Sequence, residues 1–152
     1  MDTTATATAA ATGAPAASPD DARFVHDEWH RRTLAHDIPA LVELYLPDAV
    51  LESPLVPRIM DRRSGALQGH AELEEFFERG TRGRPNDLVR FHRTGEFLFG
   101  GDRLIWEYPR QTAAGEQVDI CEVMDLSGPR IRHHRIYWGW FGIPLLHPRA
   151  AG

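Results

Sequence analysis

Apolar residues recur at helical spacing in three stretches of the N-terminal half and predict three helices. In the first stretch, Val25 and Trp29 lie four residues apart behind an aspartate that can cap the helix. In the third, Leu73, Phe76 and Phe77 fall on one face between two glycines. The predicted helices run from about Asp21 to His36, from Asp37 to a point before Pro47 in DIPALVELYLPD, and between Gly69 and Gly80 in GHAELEEFFERG.

Alternating apolar and polar residues predict β-structure in most of the remaining chain. The stretch DAVLES predicts a short strand after the second helix, and further strands follow Asn86. The turns GGD, AAGE and SGP are short, so neighbouring strands are expected to run antiparallel. The later strands are predicted at Leu88–Phe99, Arg103–Thr112, Gln117–Leu126 and Ile131–Trp140. These elements predict an α+β domain in which three N-terminal helices cover one face of a curved antiparallel sheet.

The segment PLVPRIMDRRSGALQG, from Pro54 to Gly69, joins the short strand to the third helix. It is long for a connection in a compact domain, and such loops are often lids or binding loops. A disordered segment is the alternative interpretation.

A carboxyl group falls on the predicted core face of the sheet. Residues on one face of a strand alternate with residues on the other, so period-two spacing sorts them into two sets. The set predicted to face the core comprises Val118, Ile120, Glu122, Met124 and Leu126 in one strand and Leu104, Trp106 and Tyr108 in the preceding strand. A charge at Glu122 would cost several kcal/mol among such neighbours unless it is protonated, paired or hydrated.

The last hairpin offers Glu122 a partner whose identity depends on the turn. A three-residue turn at Ser127–Pro129 places Glu122 opposite His134, whereas a two-residue turn places it opposite Arg135. The first register is preferred because it pairs apolar with apolar residues along the rest of the hairpin. A Glu–His pair in a half-apolar cavity can move protons near neutral pH. The alternative is a buried salt bridge that only fixes the sheet.

Composition limits the classes of protein and of site. The chain has 152 residues, a net charge of −5 and one cysteine, Cys121, so we expect one domain, no nucleic-acid partner and no intrachain disulfide. Residues 1–20 are mostly Ala, Thr, Ser, Pro and Gly and predict a disordered tail, followed by a domain over 21–145 and a flexible C-terminus over 146–152. The tail lacks the features of a secretory signal, and no stretch is apolar enough for a membrane span, which predicts a cytoplasmic protein without a membrane partner.

Three stretches carry a resemblance to a known family: HDIPALVELYLPDAVLESP, QGHAELEEFF and GPRIRHHRIYWG. Over about Ala22 to Trp140 the chain resembles the nuclear transport factor two-like superfamily, particularly its SnoaL-like polyketide cyclase and ketosteroid isomerase-like members. The resemblance implies a cone-shaped sheet. It also implies a cofactor-independent cyclase, isomerase or dehydratase that acts on a hydrophobic carbonyl-bearing small molecule, as in polyketide or other secondary metabolism. The alternative is a non-catalytic small-molecule-binding or assembly protein of the same fold.

The resemblance also implies site residues. This chain has Ser53 where ketosteroid isomerases place their proton-shuttling aspartate, and Trp29 where they place their oxyanion-binding tyrosine. Only Glu122, which matches their neutral aspartic acid, keeps its chemistry, so that isomerase mechanism is not expected. The cyclase and dehydratase branch implies His134 as base, with protonated Glu122 or Tyr108 stabilising an enolate oxygen.

Large side chains on the helices and strands are predicted to form the walls of the site. His26 and His30 lie four apart on the first helix, but no third metal ligand is marked by spacing, so we interpret them as exposed helix residues. The alternative is that one of them lines the mouth of the pocket, because their face borders Trp29. Neither a metal nor a cofactor is expected. The outer face of the sheet is not purely polar and predicts a homodimer. The predicted substrate-binding residues are Trp29, Ser53, Phe76, Trp106, Met124, Ile136 and Trp138.

Overall fold

A curved six-stranded sheet with helices packed against it forms the domain, so the predicted α+β class is confirmed. The structure, a computed structural model, describes residues 13–82, 96–111, 115 and 117–140. Part of the predicted tail, all of the predicted C-terminus and part of the predicted strand Leu88–Phe99 lie outside these residues. The helices are α1 (Pro19–Leu34), α2 (Ile38–Val42), α3 (Val56–Met60) and α4 (His70–Arg82). The strands are β1 (Tyr45–Glu52), β2 (Ala66–Gln68), β3 (Leu98–Gly100), β4 (Arg103–Glu107), β5 (Ile120–Ser127) and β6 (Arg130–Trp138).

The first helix begins before the predicted aspartate cap. Ser18 is the N-cap, and its hydroxyl accepts a hydrogen bond from the Asp21 backbone N–H while the Asp21 carboxylate accepts one from the Ser18 N–H. The residues just before it contact the sheet, since the Ala17 N–H donates to the Asp102 carboxylate at 2.7 Å. The C-terminal part of the predicted tail therefore packs onto the β3–β4 turn.

The predicted second helix is shorter than expected because a strand replaces its second half. Helix α2 ends at Val42, and β1 begins at Tyr45 rather than at Asp48. Pro47 lies inside β1, in the stretch where the pairing with β6 shifts register, and a bulge is one of the places where a strand tolerates proline. Tyr45 is therefore a buried strand residue whose side chain faces the core.

The segment Pro54–Gly69 forms ordered secondary structure rather than a disordered loop. It contains α3 and the edge strand β2, which pairs antiparallel with β1. Leu55 and Val56 are buried in the core. Apolar residues at both ends of the segment hold it against the domain.

The sheet contains one parallel pair that the short turns did not predict. Its strand order is β2-β1-β6-β5-β4-β3, in which β1 and β6 run parallel and the other neighbours run antiparallel. Strand β1 joins β6 across a long connection, so no hairpin constrains their direction. This arrangement brings Tyr45 on β1 next to the C-terminal hairpin.

The predicted register of the last hairpin is wrong, although the predicted faces are correct. Ser127 pairs with Arg130 across a two-residue turn, and a bulge between the Leu126 and Asp125 pairs adds one residue to β6. Without the bulge the short turn would have turned Arg135 inward. With it, Glu122 pairs with Ile136, and His134 stays on the core face opposite Met124.

Helix α1 supplies much of the cover over this face. Ala22, Val25 and Trp29 are buried against the sheet, and α4 adds Phe76 and Phe77. Within the described residues, no helix has the length and apolar character needed to cross a membrane.

Candidate active site

A buried acid and a buried imidazole meet in the middle of the core face. His134 Nε2 lies 2.6 Å from Glu122 Oε2, although the two residues are diagonal rather than directly opposite. His134 is 0% exposed and Glu122 is 3% exposed. The pair expected from the sequence is therefore formed, in a different register.

Further hydrogen bonds extend the pair in both directions. The Tyr108 hydroxyl donates to Glu122 Oε1 at 3.0 Å. On the other side, His134 Nδ1 lies 2.8 Å from the Tyr45 hydroxyl, which accepts a hydrogen bond of 3.1 Å from the Trp29 indole N–H. Side chains from one helix, three strands and the segment after β4 are thus joined in one buried network.

A largely apolar cavity lies beside this network, between the sheet and the helices. The space open to the centre of a water molecule is about 70 Å³, several times the roughly 10–15 Å³ that one water requires. Its polar wall includes Glu122 and Tyr108. The apolar wall includes Trp29, Ile38, Leu41, Leu55, Ile59, Phe76, Phe77, Val118, Ile120, Ile136 and Trp138.

The carboxyl group, rather than the imidazole, reaches this cavity. His134 does not line it and has both ring nitrogens within hydrogen-bond distance of protein groups. The expectation that His134 acts directly on a ligand is therefore not favoured by the geometry. Glu122 is the ionisable residue of the pair that a ligand in the cavity would meet.

Four of the predicted substrate-binding residues line the cavity, and three lie elsewhere. Ser53 is buried near the start of α3, where its hydroxyl accepts a hydrogen bond from the Leu55 N–H. Met124 is fully buried on β5, where it pairs with His134. Trp106 packs against two histidine rings of α1. The residues that do line the cavity are Trp29, Phe76, Ile136 and Trp138.

The two helix histidines are buried, contrary to the prediction that they are exposed. His26 is 1% exposed and His30 is 5% exposed, with their ring centroids 4.4 Å apart. His30 Nδ1 donates to the His26 carbonyl at 2.7 Å, and burial lowers the pKa of His30. The described residues include no cluster of three or more His, Cys, Asp or Glu side chains that could hold a metal ion.

Comparison with known protein families shows to which family this chain belongs. The model of the SnoaL-like domain matches residues 22–134, which include most of the helices and the sheet and both members of the Glu122–His134 pair. The chain belongs to the SnoaL-like domain family. The fold is that of the nuclear transport factor two-like superfamily, so the predicted resemblance is confirmed. A search of curated proteins gave no match.

Several solved structures share the fold at low sequence identity. A SnoaL-like protein of unknown function from Burkholderia thailandensis is 22% identical, with a TM-score of 0.65 over 80% of this chain and 97% of that one. A candidate polyketide cyclase from Sinorhizobium meliloti is 17% identical, with a TM-score of 0.53 over 79% of this chain and 95% of that one. The epoxide hydrolase/cyclase-like enzyme SalBIII, which has a role in pyran ring formation in salinomycin, is 19% identical, with a TM-score of 0.53 over 80% and 92% of the two chains.

Sequence reasoning missed two contributions to this SnoaL-like site. Tyr45 falls within the predicted second helix, whereas it lies on β1 and its hydroxyl contacts His134. Leu55 and Ile59 line the cavity from the segment Pro54–Gly69, where the sequence predicts a lid, a binding loop or a disordered segment but does not indicate these two residues. The spacing of Leu55 and Ile59 is four residues, which matches one turn of α3 and was the available signal.

Proposed function

We propose that this SnoaL-like protein is a cofactor-independent enzyme that moves a proton next to the carbonyl group of a small hydrophobic molecule, as a cyclase, isomerase or dehydratase does. The observation that carries the proposal is Glu122, a carboxyl group held by His134 and Tyr108 at the wall of an otherwise largely apolar cavity. Such a wall favours an apolar ligand, and a carboxyl group held in it can act at a defined position on that ligand.

Glu122 is the proposed proton acceptor. A C–H bond beside the ligand carbonyl breaks, its proton passes to a carboxylate oxygen of Glu122, and its electron pair moves onto the carbonyl oxygen as an enolate. The carboxylic acid then returns the proton to another carbon or to a leaving oxygen. Glu122 thus takes the role of base that the sequence suggested for His134. His134 does not line the cavity and orients the carboxylate through its Nε2.

Trp138 is the proposed donor to the enolate oxygen. Trp138 lines the cavity, and its indole N–H is buried with no hydrogen-bond partner in the described part of the chain. A buried N–H without a partner is costly, and a ligand oxygen would satisfy it. Trp138 and Glu122 are diagonal neighbours across the β5–β6 pair, a placement that separates residues by roughly 7–8 Å.

The Trp138→Phe variant tests this role. It keeps an aromatic wall and loses the N–H, so we expect the affinity for a cyclic ketone to fall about fivefold, the value of one net hydrogen bond. Affinity for the corresponding hydrocarbon should not change. Calorimetric titration of both compounds measures the difference, and Trp140→Phe, at a residue that is 83% exposed, is the matched control. Equal weakening of both ligands would mean that Trp138 contributes packing only.

The proposed activity is tested by hydrogen exchange, which requires no knowledge of the natural substrate. A panel of cyclic ketones and β-diketones is incubated with the full chain in D₂O, and loss of the signal of the proton beside the carbonyl is followed by NMR. We expect at least one compound to exchange faster than in buffer. A panel in which compounds bind without faster exchange would favour the non-catalytic binding protein.

A further inference from the structure

The hydrogen-bond network around His134 has a fixed direction because one end can only donate. An indole N–H has no acceptor, so Trp29 must donate to the Tyr45 oxygen at 3.1 Å. The Tyr45 hydroxyl has one hydrogen, and its other described partner is His134 Nδ1 at 2.8 Å. The hydroxyl therefore donates to Nδ1. Burial raises the pKa of Tyr45, which keeps this hydroxyl protonated.

This direction determines where the imidazole carries its proton. A neutral imidazole has one N–H, so a ring that accepts at Nδ1 must be protonated at Nε2. That N–H lies 2.6 Å from Glu122 Oε2 and donates to it. The Tyr108 hydroxyl donates to the other oxygen, Oε1, at 3.0 Å. Each oxygen of the Glu122 carboxylate keeps a second lone pair, and Glu122 lines the cavity.

We propose that Trp29 and Tyr45 are positioning residues that keep a proton off His134 Nδ1 and so confine the proton taken from the ligand to Glu122. The inference rests on the proposed function, because it concerns the proton that Glu122 receives. Without the Tyr45 hydrogen bond, the pair could instead hold its second proton on Nδ1, as an imidazolium beside an ionised Glu122. Confinement keeps it on the group that contacts the ligand, from which it is returned.

A proton on Nδ1 would break the network. It would point at the Tyr45 oxygen, which would then accept from both Nδ1 and the Trp29 indole. The hydrogen of the Tyr45 hydroxyl would lose its described acceptor in a fully buried position. A buried donor without a partner is unfavourable, so the second proton is directed to the carboxyl group.

The other titratable groups around the pair do not supply a competing charge. They come from each element packed against it: Tyr45 on β1, Tyr108 after β4 and His30 on α1. Burial lowers the pKa of His30, which favours its neutral form. Glu122 and His134 are therefore the two groups that could hold the second proton, and the hydrogen bond from Tyr45 to Nδ1 favours Glu122.

The location of the proton is measurable by NMR in the full chain without a ligand. Histidine is labelled with ¹⁵N and the glutamate carboxyl carbon with ¹³C, and the sample is acidified from neutral pH over the range in which the fold persists. Loss of one signal in His134→Gln and of one in Glu122→Gln assigns the two groups. In the unmodified protein we expect Nε2 to be protonated and Nδ1 to remain unprotonated, while the carboxyl carbon of Glu122 reports proton uptake.

Tyr45→Phe is the variant that removes the constraint. We expect a water molecule in the space left by the hydroxyl to accept from Nδ1, so that His134 takes up the proton over the same pH range, before Glu122 does. The matched control Tyr137→Phe on the exposed outer face should behave as the unmodified protein does. Trp29→Phe, which frees the Tyr45 oxygen to accept, should change the titration in the same direction and serves if Tyr45→Phe does not fold.

Two results would overturn the inference: protonation of Nδ1 in the unmodified protein while Glu122 stays ionised, or a Tyr45→Phe titration identical to that of the unmodified protein. Both are independent of turnover. Failure of the ketone exchange assay with the expected NMR result would refute the proposed function and leave the proton location established.

Discussion

Glu122→Gln is expected to lower the rate of exchange of the ligand proton by about 100- to 10,000-fold, the usual contribution of one acid–base group. Glutamine has nearly the same shape, and its amide oxygen still accepts a hydrogen bond, but it cannot take up a proton at neutral pH. The rate is measured in the D₂O assay with the ketone that exchanges fastest in the unmodified protein. Ligand affinity should change much less than the rate, because the apolar walls are unaltered.

The matched control for this variant is Glu107→Gln. Glu107 is an exposed carboxyl group on the neighbouring strand β4, so the substitution makes the same chemical change outside the cavity. It should leave the exchange rate within about twofold of the unmodified value, as expected for a surface change. Retention of the full rate by Glu122→Gln would remove Glu122 from the mechanism, and an equal loss in both variants would point to net charge rather than to a base.

The core face of β5 could be predicted from the sequence, because side chains alternate along a strand whatever its pairing. Period-two spacing predicts Glu122 on that face and the preferred hairpin register predicts His134 there, and both are buried. Their pairing was wrong because a bulge in β6 adds one residue after a two-residue turn. The shorter turn and the bulge each shift the pairing by one residue. Together they leave His134 on the predicted face, but they change the residue that lies opposite Glu122.

The role of Tyr45 could not be predicted, because its local pattern is ambiguous. Leu41, Leu44 and Tyr45 have helical spacing, and Pro47 favoured an end to the helix rather than a strand. The strand forms because β1 pairs with both β2 and β6, and β6 is distant in sequence. A contact between Tyr45 and His134 depends on that long-range pairing, which no local pattern encodes.

Burial of His26 and His30 was missed for a related reason. Helical spacing showed that they share a face but not that this face turns toward the sheet. The structure places Trp106 of β4 beside both rings, at 5.3 and 5.1 Å between ring centroids. A histidine has enough apolar surface to pack in this way, so residue type alone did not distinguish an exposed from a buried helix face.

His134→Leu is expected to lower the free energy of unfolding by about 3–5 kcal/mol, the typical cost of breaking a buried pair from one side. The substitution leaves the Glu122 carboxyl group without its imidazole partner and the Tyr45 hydroxyl without its acceptor. Urea denaturation of the full chain measures the change. His133→Leu is the matched control, because the adjacent histidine pairs with Glu52 on the outer face and its side chain is 28% exposed. That change should cost no more than about 1 kcal/mol.

A double substitution separates the pair from the packing around it. In Glu122→Leu/His134→Leu both polar groups are gone, so the loss of unfolding free energy should be smaller than the sum of the two single losses by about 1–3 kcal/mol. Additive losses would show that the two side chains do not interact in solution. A loss of unfolding free energy in His134→Leu no larger than that in His133→Leu would lead to the same conclusion. The interaction between Glu122 and His134 would then not explain how the site is held in place.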